Sequence, residues 1–312
     1  MQTRRSIAQQ LVGAGATSLA ASCASIPKSP RPYLAPVHVS ERRVIRVDVG
    51  LRPFRPTGFR ISREAMGEKT IIHNYGHGGG GITLSWGSAK LALDLGYDPT
   101  QGDCAVLGCG AVGLATARLL QERGARVRIY AKDLPPNVTS NVAGAQFWPA
   151  SVFESAVASE SFLDSLVAAM AFSSRRFQLL AGEPYGVSWE PNYFLSNRPI
   201  HDYPAREGGR LAPFAVNVRD LAPNEHPFAS QYVRAFDTMM IETPNYLRAV
   251  EGDFRVAGGE IEVREFSAPD EIAALPEKAV FNCMGLGAGA LFGDGELEPV
   301  RGQLVILEPQ PE

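Results

Sequence analysis

Nowhere does this sequence set its cysteines at the spacings that hold a metal. Its four cysteines in 312 residues are too few for a disulfide framework. Three of them, Cys104, Cys109 and Cys283, sit in apolar or glycine-rich stretches that read as strands or strand ends. Charge of either sign is not in excess either: the formal net charge is −3 and 20% of residues are charged, a balance that speaks against a nucleic-acid binder. With 45% hydrophobic residues the chain is no candidate for intrinsic disorder. No internal repeat or low-complexity tract breaks it up, and the apolar run at 11–21 is too short and too rich in Gly and Ala to span a bilayer as a helix. What is left is the composition of a soluble globular enzyme, long enough for two lobes.

The first thirty residues pair Arg4 and Arg5 ahead of that weakly apolar run and end in small residues, the layout of a twin-arginine export signal. Cys23 follows Ala-Ala-Ser as in a lipoprotein box, with Ala20 where a larger aliphatic residue is preferred. Two fates are open: simple cleavage, giving a periplasmic protein, or a lipid anchor at Cys23. Without a working signal the protein would stay cytoplasmic. The proline-rich stretch 25–36 has no periodicity, and 31–43 is expected to be a linker.

Beyond it, 43–49 alternates like a strand, whereas Pro53 and Pro56 in GLRPFRP (50–56) predict a rigid irregular segment in place of a continued strand. Residues 69–74 read as a strand and 83–95 as a helix apolar nearly all round, stopped by Gly96. Then come a buried strand at 104–107, a helix at 111–123 and a strand at 127–131, the start of a βαβ unit. The pattern is mainly helical at 151–182, and again at 243–252 with Thr243 as N-cap and Pro244 in the first turn. Late strands are expected at 260–266 and 280–283.

Two glycine signatures carry chemistry. Gly108-Cys109-Gly110-Ala111-Val112-Gly113 is G-x-G-x-x-G between a strand and a helix, the context that marks a dinucleotide site. Gly108 permits the tight turn, Gly110 lets backbone approach a pyrophosphate, Gly113 lets helix and strand pack closely, and the helix N-terminus offers N–H donors. Asp133, 20 residues beyond Gly113, fits the acid that binds ribose hydroxyls. This fingerprint serves FAD and NAD alike. The second signature, Gly78–Gly81, opens the apolar helix at 83–95; bare backbone at a helix start suits a flat, electron-rich ring. Together they predict pyrophosphate at Gly108–Gly113 and an isoalloxazine at Gly78–Gly81.

HNYGHGGGGITLSWGSA (73–89) with GLRPFRP upstream strongly resembles the C-terminal signature of the D-amino-acid oxidase family. LGCGAVGLATARLL (107–120), VTSNVAGAQFWP (138–149), VFNCMGLGAG (280–289) and EPVRGQ (298–303) resemble that family's N-terminal and central motifs, in its order. The likeness covers most of the chain after residue 44. It implies an α/β protein: a Rossmann-type FAD-binding domain of the glutathione-reductase-like fold with a second, mixed-sheet substrate domain. Residues 44–150 and 246–312 would belong to the former and 151–245 to the latter. Two departures stand out. The GLRPFRP and HNYGHGG motifs come first instead of last, as in a circular permutation joined through 97–103, and the sequence given stops soon after Gln303, where the family's substrate sheet continues.

The resemblance implies oxidation of a D-amino acid by hydride transfer from Cα to flavin N5. Dioxygen then takes the electrons, and hydrogen peroxide, a 2-oxo acid and ammonia result. It assigns Arg52 to the substrate carboxylate, which a guanidinium fork binds with two parallel bonds. It assigns Gly78, Gly79, Gly81, Ile82 and Thr83 to the ring, Thr139, Ser140 and Asn141 to phosphate or ribose, and Gln146 and Trp148 to the pocket lining. No protein acid or base is implied for the chemical step. His73 and His77, four apart, are not expected to bind metal, since the glycines after them argue against a helix. A preference for acidic D-amino acids, a flavin-binding chain without turnover, an NAD-dependent dehydrogenase and a homodimer all remain open.

Overall fold

The computed structural model describes residues 34, 37–201, 203–204 and 209–310; the expected export segment with Arg4, Arg5 and Cys23 lies outside them. In chain order the elements are β1 (Val44–Phe54), β2 (Arg60–Met66), β3 (Lys69–Tyr75), α1 (Gly81–Gly96), β4 (Cys104–Leu107), α2 (Ala111–Glu122), β5 (Val127–Ala131), α3 (Glu160–Leu179), β6 (Val187–Ser196), β7 (Val216–Leu221), β8 (Tyr232–Ile241), α4 (Thr243–Val256), β9 (Glu260–Val263), α5 (Pro269–Ala273), β10 (Ala279–Asn282), α6 (Gly287–Phe292) and β11 (Glu298–Leu307).

Six strands make the central sheet in the order β2-β3-β10-β4-β5-β9, with β2 antiparallel to β3 and every other pairing parallel. Parallel strands need cover on both faces, which is why β3, β4 and β10 are buried at every position. Alternation sends Ile72, Val106, Ile129 and Phe281 into the larger core, with residues of α1, α2, α3 and α4. Ile71, Ala105, Leu107, Tyr130 and Val280 point to a smaller core that includes Ile272 of α5. α1 and α3 meet closely at Gly87, where a Cβ would stand 1.9 Å from the Ala169 carbonyl oxygen.

α1 leaves the carboxyl end of β3 and returns the chain to the amino end of β4, passing β10. Gln101 donates from Nε2 to Thr70 Oγ1 (3.3 Å), which puts the 97–103 connection at the amino edge of the sheet. Outside this sheet lie the antiparallel sheet β6-β8-β7 and a two-stranded ribbon in which β1 and β11 run antiparallel from Val44↔Leu307 to Phe54↔Glu298.

Five expectations need correction. GLRPFRP does not leave the strand: β1 continues through Arg52 and Pro53, because both members of a two-stranded ribbon are edge strands and a missing N–H there disrupts no ladder beyond. Helix does not fill 151–182; α3 begins at Glu160, where Ser159 Oγ accepts the Phe162 N–H at 3.1 Å. Thr243 is the first helical residue of α4 and not its cap, its hydroxyl donating to the Asn141 carbonyl at 2.8 Å. Gly96 is still helical, held by close approach, since a Cβ would lie 2.3 Å from Ile72 Cγ1. The late strands also end earlier than the sequence predicts, at Val263 and Asn282.

Candidate dinucleotide site

Both glycine-led helices start at the same edge of the sheet. β3 and β4 are parallel and flank β10, so the heads of α1 and α2 open at their carboxyl ends about 10 Å apart, two strand spacings. At the head of α2 each glycine has its own reason. Gly108 has φ +104, and a Cβ there would meet the Cys283 carbonyl oxygen at 2.7 Å; on Gly113 it would sit 2.0 Å from the Gly108 carbonyl oxygen. Gly110 is different: a Cβ would find only the Ser140 hydroxyl, at 3.1 Å.

That hydroxyl belongs to the turn Thr139–Val142 and accepts the Ala111 N–H at 3.1 Å, while the remaining first-turn N–H groups of α2 have no partner within the helix. Asn141 of the same turn holds a buried Oδ1 without a hydrogen-bond partner. Asp133 is exposed just past β5, the strand beside β4. Side-chain-free backbone at Gly110 and the helix head fit the phosphates of a dinucleotide, and the unpaired Asn141 oxygen, an acceptor, fits a hydroxyl of its ribose.

The glycines of the second run also make close packing contacts of their own. Gly79 N–H donates to the Ser151 carbonyl oxygen at 3.0 Å. A Cβ on Gly78, Gly79 or Gly80 would meet Ser151 O at 2.0 Å, Ala150 O at 2.5 Å or Val152 Cγ2 at 2.6 Å. These three let the backbone at 150–152 lie directly on the turn ahead of α1. Gly81 alone of the four has room for a Cβ, with nothing nearer than His77 Cβ at 4.0 Å, and Gly79 is exposed. Thr83, buried, is likewise committed: its hydroxyl contacts the carbonyls of Gln146 (3.3 Å) and Trp148 (3.2 Å), and so pins the 146–148 segment over α1. Gln146 donates to Asn192 Oδ1 at 2.6 Å, Trp148 packs on Phe236, and Ile82 is core.

The two histidines are engaged separately. His73 Nε2 lies 2.9 Å from Glu64 Oε2 and its Nδ1 3.0 Å from Asn282 Nδ2; burial lowers its pKa more than Glu64 raises it. His77 stacks on Phe59 and burial pushes its pKa down to about 3, so it is neutral in ordinary conditions.

The ribbon lies over this edge. Phe54 pairs with His77 beside the glycine turn, and a Cβ on Gly50 would touch Val142 and Thr139 at 3.2 and 3.4 Å. Arg52 falls between them on the same face of β1. It is exposed, rests its guanidinium against Gly302, and has no ion-pair partner among the described residues. Three other arginines of this basic stretch are committed, Arg46 to Asp48, Arg55 to Asp294 and Glu296, and Arg60 to Asp294 and Glu64, whereas Arg42, Arg43 and Arg63 form no ion pair among the described residues. No local sequence signal marked Asp294, whose partners lie some 220 to 240 residues away.

Comparison with known proteins follows this geometry. A family model described as FAD dependent oxidoreductase matches residues 24–95 and 103–312, breaking at the connection between α1 and β4. A D-amino-acid oxidase of Streptomyces coelicolor is 30% identical over 211 residues, 68% of this chain and 61% of that protein. The D-amino-acid oxidases of Rubrobacter xylanophilus (31% identical, 64% and 57% covered) and Dictyostelium discoideum (29%, 65% and 56%) are similar in the same measure. The chain thus spans between 56% and 61% of the length of these relatives.

Proposed function

Because this chain belongs to the family of FAD-dependent oxidoreductases, we propose that it oxidises D-amino acids. One arrangement supports this above all: two glycine-led helix heads open on one sheet edge, and a strand crosses over them carrying an unpaired arginine. FAD, the cofactor of the family, supplies an acceptor for the Cα hydride and passes its electrons to dioxygen, so that the products are hydrogen peroxide and an imino acid that hydrolyses to a 2-oxo acid and ammonia. Everything else falls to the chain. The backbone from Gly110 to Gly113 holds the pyrophosphate, Thr139, Ser140 and Asn141 meet phosphate or ribose, and Asp133 takes a ribose hydroxyl. Gly81 and the head of α1 lie toward the ring. Arg52 grips the substrate carboxylate and so fixes which hydrogen faces the acceptor. His77, neutral with its pKa near 3, takes no proton at neutral pH, and the site works by orientation.

On this reading residues 44–150 and 246–312 hold the cofactor and 151–245 enclose the substrate. Export of the folded protein through the twin-arginine route, with or without a lipid on Cys23, belongs to the same proposal; replacing Arg4 and Arg5 by lysine should strand the protein in the cytoplasm.

Colour tests the proposal. Purified chain loaded with FAD should be yellow and should bleach anaerobically on adding D-alanine, then recover its colour with oxygen and release peroxide. Faster bleaching by D-aspartate would point to an acidic preference. A yellow protein that bleaches with neither, or a colourless one that responds to NAD, would overturn the proposal.

A further inference from the structure

We propose that Asp294 is a positioning residue: by clamping Arg55 at the root of the β1–β11 ribbon, it sets the angle at which Arg52 is held over the site. The inference rests on the reading of Arg52 as the carboxylate-binding group. Asp294 lies on the stretch between α6 and β11, its side chain only 5% exposed. Its Oδ2 accepts from Arg55 Nε at 3.0 Å and from the Tyr75 hydroxyl at 2.9 Å, and its Oδ1 accepts the Glu296 N–H at 3.1 Å. Arg55 spends the rest of its fork on the Gly58 carbonyl (2.8 Å), the Thr57 hydroxyl (3.3 Å) and Glu296 Oε2 (3.1 Å), and the Thr57 hydroxyl also bonds Glu296. Arg60 Nη1 donates to the Tyr75 hydroxyl at 2.9 Å and closes the network against β3.

Placement gives this cluster its consequence. The last pair of the ribbon ladder is Phe54↔Glu298. Arg55 is the next residue on one strand, and Asp294 and Glu296 come just before the other, so the ion pairs tie the two chains where the ladder ends. Through Tyr75 they are fixed to the end of β3, the strand that leads into the glycine turn. Elsewhere the ribbon leans on the glycine turn through Phe54, on Gly285 through Pro53, on the turn Thr139–Val142 near Gly50, and on Gly144 near Leu304. Two strands alone do not make a stiff platform. Arg52 sits three residues from Arg55, about 10 Å along the strand. A modest tilt at the root therefore moves its guanidinium by about an ångström, enough to spoil a two-pronged bond to a carboxylate. Removing the charge at Asp294 leaves Arg55, itself largely buried, without its principal partner.

The test uses the full chain loaded with FAD and three substitutions, Asp294→Asn, Glu296→Gln and Arg52→Met, alone and combined. Benzoate, a carboxylate that cannot be oxidised, is titrated against the flavin absorbance; KM and kcat are measured with D-alanine; and hydrogen exchange of β1 amides is followed in protein without FAD. Asp294→Asn should raise the benzoate Kd and the D-alanine KM at least tenfold, change kcat and FAD affinity less than threefold, and speed exchange in β1. In the Arg52→Met background it should add less than twofold. Glu296→Gln, at a half-exposed position, should shift the same quantities in the same direction by less. Wild-type Kd and KM in Asp294→Asn, or a full tenfold loss when Arg52 is already methionine, would overturn the clamp. Should Asp294→Asn fail to fold, unchanged β1 exchange and benzoate affinity in Glu296→Gln would do so. If the unsubstituted chain neither bleaches with D-alanine nor binds benzoate, it is the reading of Arg52 that fails, and the clamp itself then stands or falls on the exchange measurement.

Discussion

At the scale of single residues, three glycines within one run of six residues divide their labour. Gly113 is pressed against Gly108, so Gly113→Ala should cost about 1–3 kcal/mol of stability, read from the urea midpoint of the protein without cofactor. Gly110 faces little but a hydroxyl; Gly110→Ala should leave that midpoint nearly unchanged and weaken FAD at least tenfold, measured by flavin fluorescence. Equal effects of the two substitutions would remove the distinction. Arg52→Met should cost carboxylate binding about 1.5–3 kcal/mol, the worth of a hydrogen bond to a charged group, with FAD affinity intact. The G-x-G-x-x-G run was legible because its roles depend on the strand and helix adjoining it. The close packing on Gly78–Gly80 was not, since what presses there is the 150–152 segment, about 70 residues later.

Among elements, the short strands β4 and β5 were readable to the residue, because burial leaves an apolar run, broken in β5 only by Arg128, between polar or glycine punctuation. β1 was readable only in its first half. Prolines in a lone segment argue for a break, and nothing local announces that a partner 250 residues away makes both strands edges. α3 shows the reverse case: its apolar pattern extended the expected helix upstream, while the boundary is set by one hydroxyl. Ser159→Ala should therefore lower stability by about 1 kcal/mol through the lost cap, seen as a drop in Tm without loss of FAD binding.

For the whole molecule, acid should act through the buried histidines before it reaches the carboxylates. Unfolded histidine takes its proton near pH 6.5, but burial holds His77 near 3 and lowers His73 as well. The neutral form of His77 favours the folded state fully above about pH 6.5, and that contribution is lost as pH falls toward 3, by up to about 1.4 kcal/mol per pH unit; the lowered His73 acts in the same direction. Urea midpoints at pH 7 and 5 should show the decline, and His77→Gln, if it folds, should flatten it; a flat profile in the unsubstituted chain would contradict the buried neutral state.

The connection at 97–103 carries a different consequence. It turns on the amino edge of the sheet, a full helix length from the heads of α1 and α2. A fluorescent reporter or an affinity handle grafted into this turn would ride on the back of the molecule, leaving the chemistry at the front undisturbed.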